Sequence, residues 1–263
     1  MAKQYHIRCE EGDVAPYVLM PGDPGRADYI SSLFDERSLV ARNREFTTYT
    51  GKYRGEAISV TSTGIGCPSA AIALEELARC GAKTFIRVGT CGTFQDLPTG
   101  DLAIASGAFR NDGTAEGYVS LRYPAVPEMT VTLALIESAH RAGISHHVGI
   151  FLSEDAFYGP DFTDDPRSSV PTSDAKMAGI LAADMESSAI FVLSNLHGLR
   201  SGTVALIVNR IGSKMRPEEF RVVEREIEGL CRTACESVKI LAGWDRDAVK
   251  KGVGYWCPGI SYD

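Results

Sequence analysis

Short apolar runs alternate with amphipathic segments along the whole chain. Residues 203–208 form a continuous apolar run, as expected for a strand that is buried on both faces. Between residues 220 and 241 apolar positions recur at steps of three and four, which predicts a long helix starting near Pro217. The same patterns predict further strands at 17–20, 46–51, 57–63, 84–88, 102–109 and 147–152, and further helices at 25–34, 68–80, 129–141 and 186–197. Strands that alternate with helices indicate an α/β fold with helices on both faces of a sheet.

No stretch rich in Pro, Gly or Ser divides the chain, so we expect a single domain over residues 1–263. Two segments fit no predicted element. One is the polar stretch 159–176, and the other is the tail 243–263, which carries Tyr255 and Trp256 among glycines.

Composition excludes several classes of protein. Apolar residues make up 44% and charged residues 23%, which excludes a disordered chain. The formal net charge of -7 leaves no broad basic surface, so we expect no nucleic-acid partner. No apolar run approaches the ~18 residues of a membrane span, and no secretory signal is visible, so we expect no membrane partner. The 7 Cys include no CxxC pair, which predicts reduced, mostly buried thiols in a cytoplasmic protein.

The first motif suited to an anion lies between a predicted strand and a predicted helix. Residues 21–26 read Pro-Gly-Asp-Pro-Gly-Arg. Glycine at position 22 lets the backbone approach a ligand, a helix N-terminus favours an anion, and Arg26 can add a bidentate contact. The alternative is a tight turn with an arginine on the surface.

The second motif places a charge where charges are costly. Arg87 lies inside an apolar strand, so it needs a partner, which is either a carboxylate of the protein or an anionic ligand. The turn 89–92 follows at the C-terminal end of that strand, where α/β sheets place their ligands. Thr90 in this turn adds a hydroxyl and an N–H.

Three further segments of the chain could contact other parts of a ligand. Asp184 and Glu186 stand at a predicted helix start, where they would serve as N-cap and first-turn acid, or Glu186 would bind a sugar diol. The apolar run at 203–208 ends in an amide and the guanidinium of Arg210. Phe157 follows another strand and either stacks on a planar ligand or belongs to the core.

Together these motifs resemble the nucleoside phosphorylase family, and within it the uridine phosphorylases most closely. The resemblance runs in order from about His6 to Leu241, and only the tail after about Gly243 lies outside it. The matching segments are 18–26, 44–48, 62–66, 68–69, 75–77, 87–90, 185–187 and 207–210. The resemblance implies a three-layer αβα sandwich around a central mixed β-sheet. It also implies phosphorolysis of a nucleoside to free base and (deoxy)ribose 1-phosphate, with uridine as the favoured substrate. This reaction would serve nucleoside salvage.

The resemblance implies a role for each matched residue. The residues that would bind phosphate, the co-substrate, are Gly22, Arg26, Arg87, Gly89 and Thr90, with Arg44 supplied by a neighbouring subunit. Those that would bind ribose are Thr90, Met185 and Glu186, with His6 reaching across the interface to the 5′-hydroxyl. Those that would face the base are Cys91, Gly92, Phe157, Asp161, Arg167 and Arg210. The catalytic residues would be Arg87, Glu186 and Arg210, of which Arg210 would stabilise the leaving base.

The resemblance requires no cofactor, since neither a protein nucleophile nor a metal takes part in the expected reaction. Glu45, Ile65 and Ser69 match a monovalent-cation site, which would hold K⁺ between subunits. The protein would be a homo-oligomer, either a dimer or a hexamer built as a trimer of dimers, with active sites shared between chains.

The loop that would read the base departs from the uridine phosphorylase pattern. That pattern has Gln and Arg where this chain has Asp161 and Thr163, and residues 157–161 look more like purine enzymes, including archaeal methylthioadenosine phosphorylases. Those enzymes place Asp where Arg210 stands, and Arg cannot donate a proton to purine N7. Uridine is therefore favoured, with a purine or methylthioadenosine phosphorylase as the alternative. A nucleosidase would not need three arginines together, and a non-catalytic nucleoside-binding protein would be expected to have lost Glu186 or the arginine cluster.

Overall fold

The computed structural model describes residues 2–158, 170–211 and 224–254. The strands in these ranges are β1 (Tyr17–Met20), β2 (Glu36–Asn43), β3 (Phe46–Tyr53), β4 (Glu56–Thr61), β5 (Thr84–Thr93), β6 (Leu102–Asn111), β7 (His146–Glu154), β8 (Ala182–Asp184) and β9 (Arg200–Arg210). The helices are α1 (Pro24–Ser32), α2 (Cys67–Arg79), α3 (Gly113–Tyr118), α4 (Met129–Arg141), α5 (Thr172–Met177), α6 (Ser187–Leu196) and α7 (Glu224–Lys251).

The strands form one mixed sheet in the order β2-β3-β4-β1-β5-β8-β7-β6-β9. Because β9 also pairs in parallel with β5, the five strands β5, β8, β7, β6 and β9 close into a ring. The antiparallel strands β2, β3 and β4 extend from it through β1. Strand β5 lies where the ring and the extension meet, and it carries Arg87. It continues to Thr93, so residues 89–92, which were predicted as a turn, belong to the strand.

Helices cover both faces of the sheet. One core cluster joins the sheet to α2 and α6 and includes Leu74, Leu77 and Phe191. The other joins it to α1, α4 and α7 and includes Ile30 and Leu135. The predicted layering of helix, mixed sheet and helix is therefore confirmed.

Local patterns placed most of the elements. The helix Met129–Arg141 has the predicted bounds, and α6 differs from the predicted 186–197 by one residue at each end. Strand β2 was not predicted, because most of its side chains are exposed and show no apolar alternation. Helix α7 continues to Lys251, so the first part of the tail 243–263 is helical. The predicted helix start near residue 217 lies outside the described residues.

No helix in the described ranges is long and apolar enough to cross a bilayer. The six cysteines in these ranges are buried and unpaired. The same ranges contain no group of three His, Cys, Asp or Glu residues that could hold a metal ion.

Candidate active site

Arg87 lies at the centre of a buried charge cluster. Its Nε donates to Asp184 Oδ2 at 2.7 Å, and its Nη2 lies 2.5 Å from Glu186 Oε2. All three side chains are buried. Of the two partners predicted for Arg87, the structure therefore supplies protein carboxylates. Its Nη1 makes no hydrogen bond to any described residue, so one edge of the guanidinium stays available.

The surroundings of the cluster shift the pKa values of its members. Burial opposes the charge of Arg87, but Glu186 and Asp184 outweigh it and raise the pKa of Arg87, which stays a cation. Burial raises the pKa of Glu186 above its ordinary value; Asp184 adds to this rise and Arg87 opposes it. Glu186 is therefore protonated more easily than an exposed glutamate, mainly because it is buried.

Asp184 has a structural role in this cluster. It accepts hydrogen bonds from Ser153 Oγ on β7 at 2.8 Å and from Ser187 Oγ at 2.5 Å. It also accepts from the backbone N–H of Ser187 and of Glu186 at the start of α6, but the N-cap residue is Glu186, so the interpretation of Asp184 as N-cap is wrong. Its oxygens are therefore already used within the protein.

Glu186 turns away from the helix end. It is the N-cap residue of α6, yet its side chain makes no capping hydrogen bond, so its interpretation as a first-turn acid is wrong. Oε1 instead accepts from the Gly66 N–H at 2.7 Å, and Oε2 accepts from the Met185 N–H at 3.2 Å. These contacts hold the carboxylate between β5 and the start of α2.

Arg26 lies beside Arg87. It is half-buried and donates to the Val88 carbonyl on β5 at 3.1 Å, so its interpretation as a surface arginine is wrong. Burial and the nearby charge of Arg87 lower the pKa of Arg26. The expectation of a free helix N-terminus needs correction, because the Asp23 carboxylate accepts from the Gly25 N–H and caps α1 itself. The groups here that could bind an anion are the two arginines.

Close packing requires glycine at two nearby positions. A Cβ at residue 22 would lie 3.0 Å from the Gly64 carbonyl oxygen. A Cβ at residue 89 would lie 2.8 Å from Arg87 Cζ, so the guanidinium folds back over Gly89. The neighbouring Thr90 is half-buried, and its hydroxyl makes no hydrogen bond to a described residue. The part of β5 that follows Arg87 thus adds a hydroxyl that, like Arg87 Nη1, makes no hydrogen bond to a described residue.

The residues expected to face the base are less closely gathered. Cys91 has its side chain in the core, with Sγ donating to the Leu206 carbonyl at 3.6 Å, so only its backbone is available to a ligand. A Cβ at Gly92 would lie 2.8 Å from Asn209 Oδ1. Asp161 and Arg167 lie outside the described residues.

Arg210 ends β9 opposite Thr93 of β5. It pairs with Asp96, and its Nε donates to the Leu97 carbonyl at 3.0 Å. Six residues of extended backbone separate Arg87 from Thr93, a span of about 20 Å at ~3.3 Å per residue. The side chain is exposed, as are Phe157 and Tyr158, whose rings meet edge to face at 5.0 Å. The interpretation of Phe157 as a core aromatic is therefore wrong.

His6 and Arg44 lie together on another part of the surface. The His6 ring contacts Glu76 of α2, and the His6 carbonyl accepts from Asn43 Nδ2 at 2.7 Å, next to Arg44 in the β2–β3 turn. Ten residues separate Gly66, which binds Glu186, from Glu76, about 15 Å along a helix. His6 is thus held away from the Arg87 cluster of its own chain.

Sequence patterns did not assign Glu76 or Ser153 to the site. Glu76 stands among the apolar residues of α2 and is buried. An acidic residue at an apolar position of the helix is the sequence feature that could have indicated its role.

Two of the three residues expected at a cation site, Glu45 and Ser69, are in contact. Ser69 Oγ lies 2.9 Å from Glu45 Oε1 and 2.5 Å from the Thr63 carbonyl. One hydroxyl proton therefore serves two acceptor oxygens. The side chain of Ile65 is exposed nearby in sequence.

A cavity of about 380 Å³ lies elsewhere, between the end of β3, α4 and α7. Its lining includes Arg54, Arg141 and Arg232. Each of these arginines pairs with a glutamate, respectively Glu236, Glu137 and Glu228. This cavity offers less to an anion than the Arg87 cluster, because each of its arginines is held by a glutamate, whereas Arg87 Nη1 makes no hydrogen bond to a described residue.

The chain is similar to known proteins over most of its length. The model of the phosphorylase superfamily matches residues 16–240, which contain Arg26, Arg87 and Glu186. The chain belongs to the phosphorylase superfamily. This match confirms the resemblance that the motifs predict, and the similarities to individual proteins agree with it.

Two relatives and one solved structure illustrate which proteins this chain is similar to. It is 46% identical to a uridine phosphorylase of Thermococcus kodakarensis, over 98% of this chain and 93% of that protein. It is 44% identical to a guanosine phosphorylase of Halorubrum lacusprofundi, over 79% of this chain and 83% of that protein. A crystal structure of uridine phosphorylase from Vibrio fischeri superposes with a TM-score of 0.81 at 32% identity, covering 92% of this chain and 97% of that one.

Proposed function

We propose that the protein catalyses phosphorolysis of uridine to uracil and ribose 1-phosphate, in nucleoside salvage. The observation that carries this proposal is the buried Arg87, which holds Glu186 with one nitrogen and keeps Nη1 unpaired beside Arg26. Such a site can bind an oxyanion and a sugar diol side by side. The uridine phosphorylases among its relatives support the choice of base.

Phosphate binds between Arg87 Nη1, Arg26 and the Thr90 hydroxyl. Guanidinium groups suit phosphate oxygens because their donors lie in a fixed plane. In phosphorolysis the bond from C1′ to the base breaks ahead of phosphate attack, so positive charge develops on the sugar. A phosphate held on one face stabilises that charge and supplies the nucleophile. Holding both reactants in place can lower the barrier by ~7–11 kcal/mol in favourable cases.

Glu186 binds the ribose. Its carboxylate accepts hydrogen bonds from the 2′- and 3′-hydroxyls, and Met185 packs against the sugar. Gly66 and Arg87 fix the position of the carboxylate, so the sugar is oriented without a further rearrangement. Electron density moves into the base as it leaves, and Arg210 stabilises the carbonyl oxygen that receives it by exchanging its partner Asp96 for that oxygen. Phe157 packs on the ring of the base.

The complete site requires a second copy of the chain. Within one chain the charges of Arg26 and Arg87 are cancelled by Asp184 and Glu186, which leaves no net positive charge for a phosphate dianion. Arg44 from a neighbouring chain supplies it, and His6 from the same neighbour reaches the ribose. The protein is therefore a homo-oligomer, either a dimer or a trimer of dimers.

Arg44→Ala is expected to raise the KM for phosphate about tenfold, because one charged hydrogen bond is lost. Steady-state kinetics at varied phosphate measure this change. Arg42→Ala is the matched control, since Arg42 lies in the same strand end, is exposed and pairs with Asp28. An unchanged KM in the Arg44 variant, or a fully active monomer in light scattering, would contradict the shared site.

The oxygens of Glu45, Ser69 and the Thr63 carbonyl would together hold a monovalent cation. Oxygen ligands suit such hard cations, and a cation would relieve the surplus of acceptors over protons at Ser69. The cation is structural in this proposal and takes no part in bond cleavage. The buried, unpaired cysteines support a location in the reducing cytoplasm.

Guanosine is the second candidate substrate, supported by the guanosine phosphorylase relative. Uracil and guanine both present a carbonyl oxygen beside a ring N–H, and an arginine, which only donates, suits that oxygen. An acceptor such as Asp161 would suit the neighbouring N–H groups of guanine.

A nucleoside panel assayed with and without phosphate tests the function. We expect uracil and ribose 1-phosphate from uridine only when phosphate is present, measured by chromatography of base and sugar phosphate. If guanosine is cleaved in preference to uridine, guanosine replaces uridine as the proposed substrate. Release of free ribose without phosphate would instead show a nucleosidase.

A further inference from the structure

Glu76 is a buried carboxylate outside the Arg87 cluster. It stands on α2 at 6% exposure and accepts from the backbone N–H of His6 at 3.0 Å and of Ile7 at 2.8 Å. Its Oε1 lies 2.7 Å from His6 Nδ1. Among the described residues, His6 is its one ionic partner. Most of the hydrogen bonds of the Glu76 carboxylate are therefore made with one residue, His6.

This contact fixes which nitrogen of His6 carries the proton. An ionised carboxylate only accepts hydrogen bonds, so His6 Nδ1 must donate. In the neutral imidazole Nε2 is then an acceptor. Nε2 makes no hydrogen bond to any described residue, and the side chain is 28% exposed. Its free edge thus presents an acceptor at the surface.

The backbone and ring of His6 are held from two further sides. Asn43 Nδ2 at the end of β2 donates to the His6 carbonyl at 2.7 Å. The ring of Phe46, at the start of β3, meets the imidazole edge to face with centroids 6.4 Å apart. Three elements therefore hold His6 in one orientation, and Glu76 is the one that sets its tautomer.

We propose that Glu76 is a positioning residue that presents His6 Nε2 as an acceptor for the 5′-hydroxyl of a nucleoside bound in the neighbouring subunit. The proposal rests on the proposed function, which places His6 at that hydroxyl. Its consequence is selectivity at a part of the sugar remote from the reaction. A 5′-hydroxyl can donate to Nε2, whereas a 5′-hydrogen or a 5′-methylthio group cannot. The site therefore favours ordinary nucleosides over 5′-deoxy and 5′-methylthio nucleosides.

The test compares kcat/KM for uridine and 5′-deoxyuridine. We expect wild type to prefer uridine, and His6→Ala to lower that preference about tenfold, as expected for one hydrogen bond. Glu76→Gln should lower it several-fold, mainly through KM, and should have no further effect in the His6→Ala background. Glu75→Gln is the matched control, because Glu75 is adjacent on α2 and also binds a histidine, His197, at the surface. The Glu75→Gln variant should keep the wild-type preference for uridine over 5′-deoxyuridine.

Nitrogen-15 NMR of the histidine rings supplies a readout independent of turnover. An amide at position 76 has one acceptor oxygen, which the backbone N–H groups of His6 and Ile7 would occupy. Its NH₂ would then face Nδ1, so the His6 proton should move to Nε2. Wild type should show the Nδ1–H form and Glu76→Gln the Nε2–H form.

An unchanged His6 tautomer in a folded Glu76→Gln variant overturns the proposal, and so does an unchanged preference for the 5′-hydroxyl. An effect of Glu76→Gln that persists without His6 overturns it as well. If wild type prefers guanosine, the same ratio is measured with 5′-deoxyguanosine. If no nucleoside is cleaved with phosphate, the proposed function fails, and the NMR result still decides whether Glu76 sets the tautomer.

Discussion

Arg87→Lys is expected to lower kcat/KM for phosphorolysis by about 100-fold or more while the protein stays folded. Lysine keeps one positive charge near Asp184 and Glu186 but cannot contact both carboxylates and phosphate at once, because its ammonium is compact and lacks the planar fork. Loss of one preorganised donor in a buried site typically costs ~10²–10³ in rate. Initial rates at varied phosphate and uridine, with thermal unfolding as the check on folding, measure the outcome.

Alanine is the less informative replacement at this position. Arg87→Ala would leave two buried carboxylates without their cation, and breaking a buried pair from one side costs ~3–5 kcal/mol. Loss of activity could then reflect loss of the fold. Arg141→Lys serves as the control, since Arg141 pairs with Glu137 at the surface and lines the other cavity. Wild-type kcat/KM in Arg87→Lys would remove Arg87 from the site.

The need of Arg87 for a counter-charge was predictable, whereas the identity of its partner was not. An arginine in an apolar strand must be paired, and this follows from its immediate neighbours in sequence. Asp184 reaches it only because the three-residue β8 pairs with the end of β5, and so short a strand has no periodicity. The motifs place three arginines against phosphate, but they do not show that Asp184 and Glu186 cancel two of these charges.

The closure of the sheet was likewise hidden from local patterns. The apolar run at 203–208 predicts a strand buried on both faces, but its neighbours β5 and β6 are chosen by the packing of distant segments. The opposite holds for α4, where spacing and the surrounding turns sufficed. The partner of the Glu76 side chain could not be predicted from local patterns either. Its position among the apolar residues of α2 marks it as unusual, and only the fold shows that it binds His6.

Glu186→Gln is expected to lower kcat/KM about 100-fold with little loss of stability. A neutral amide binds the two ribose hydroxyls more weakly than a carboxylate does, since hydrogen bonds to charged groups are worth ~1.5–3 kcal/mol. Arg87 keeps Asp184 as its partner in this variant. Because burial raises the pKa of Glu186, its ionised form is disfavoured in the folded protein, and removing that charge relieves part of the penalty. Kinetics and thermal unfolding together separate the two effects.

The same raised pKa predicts the acid side of the pH profile. Glu186 must be ionised to accept from both hydroxyls, so acidification protonates it and removes the ribose contact. Burial is the main cause of the shift, and wild-type kcat/KM should therefore begin to fall at a pH above the 4.5 of an ordinary glutamate. Glu186→Gln should lack this limb while keeping any limb due to the ionisation of phosphate itself. An identical acid limb in both proteins would assign it to another group and leave the ribose without its proposed carboxylate.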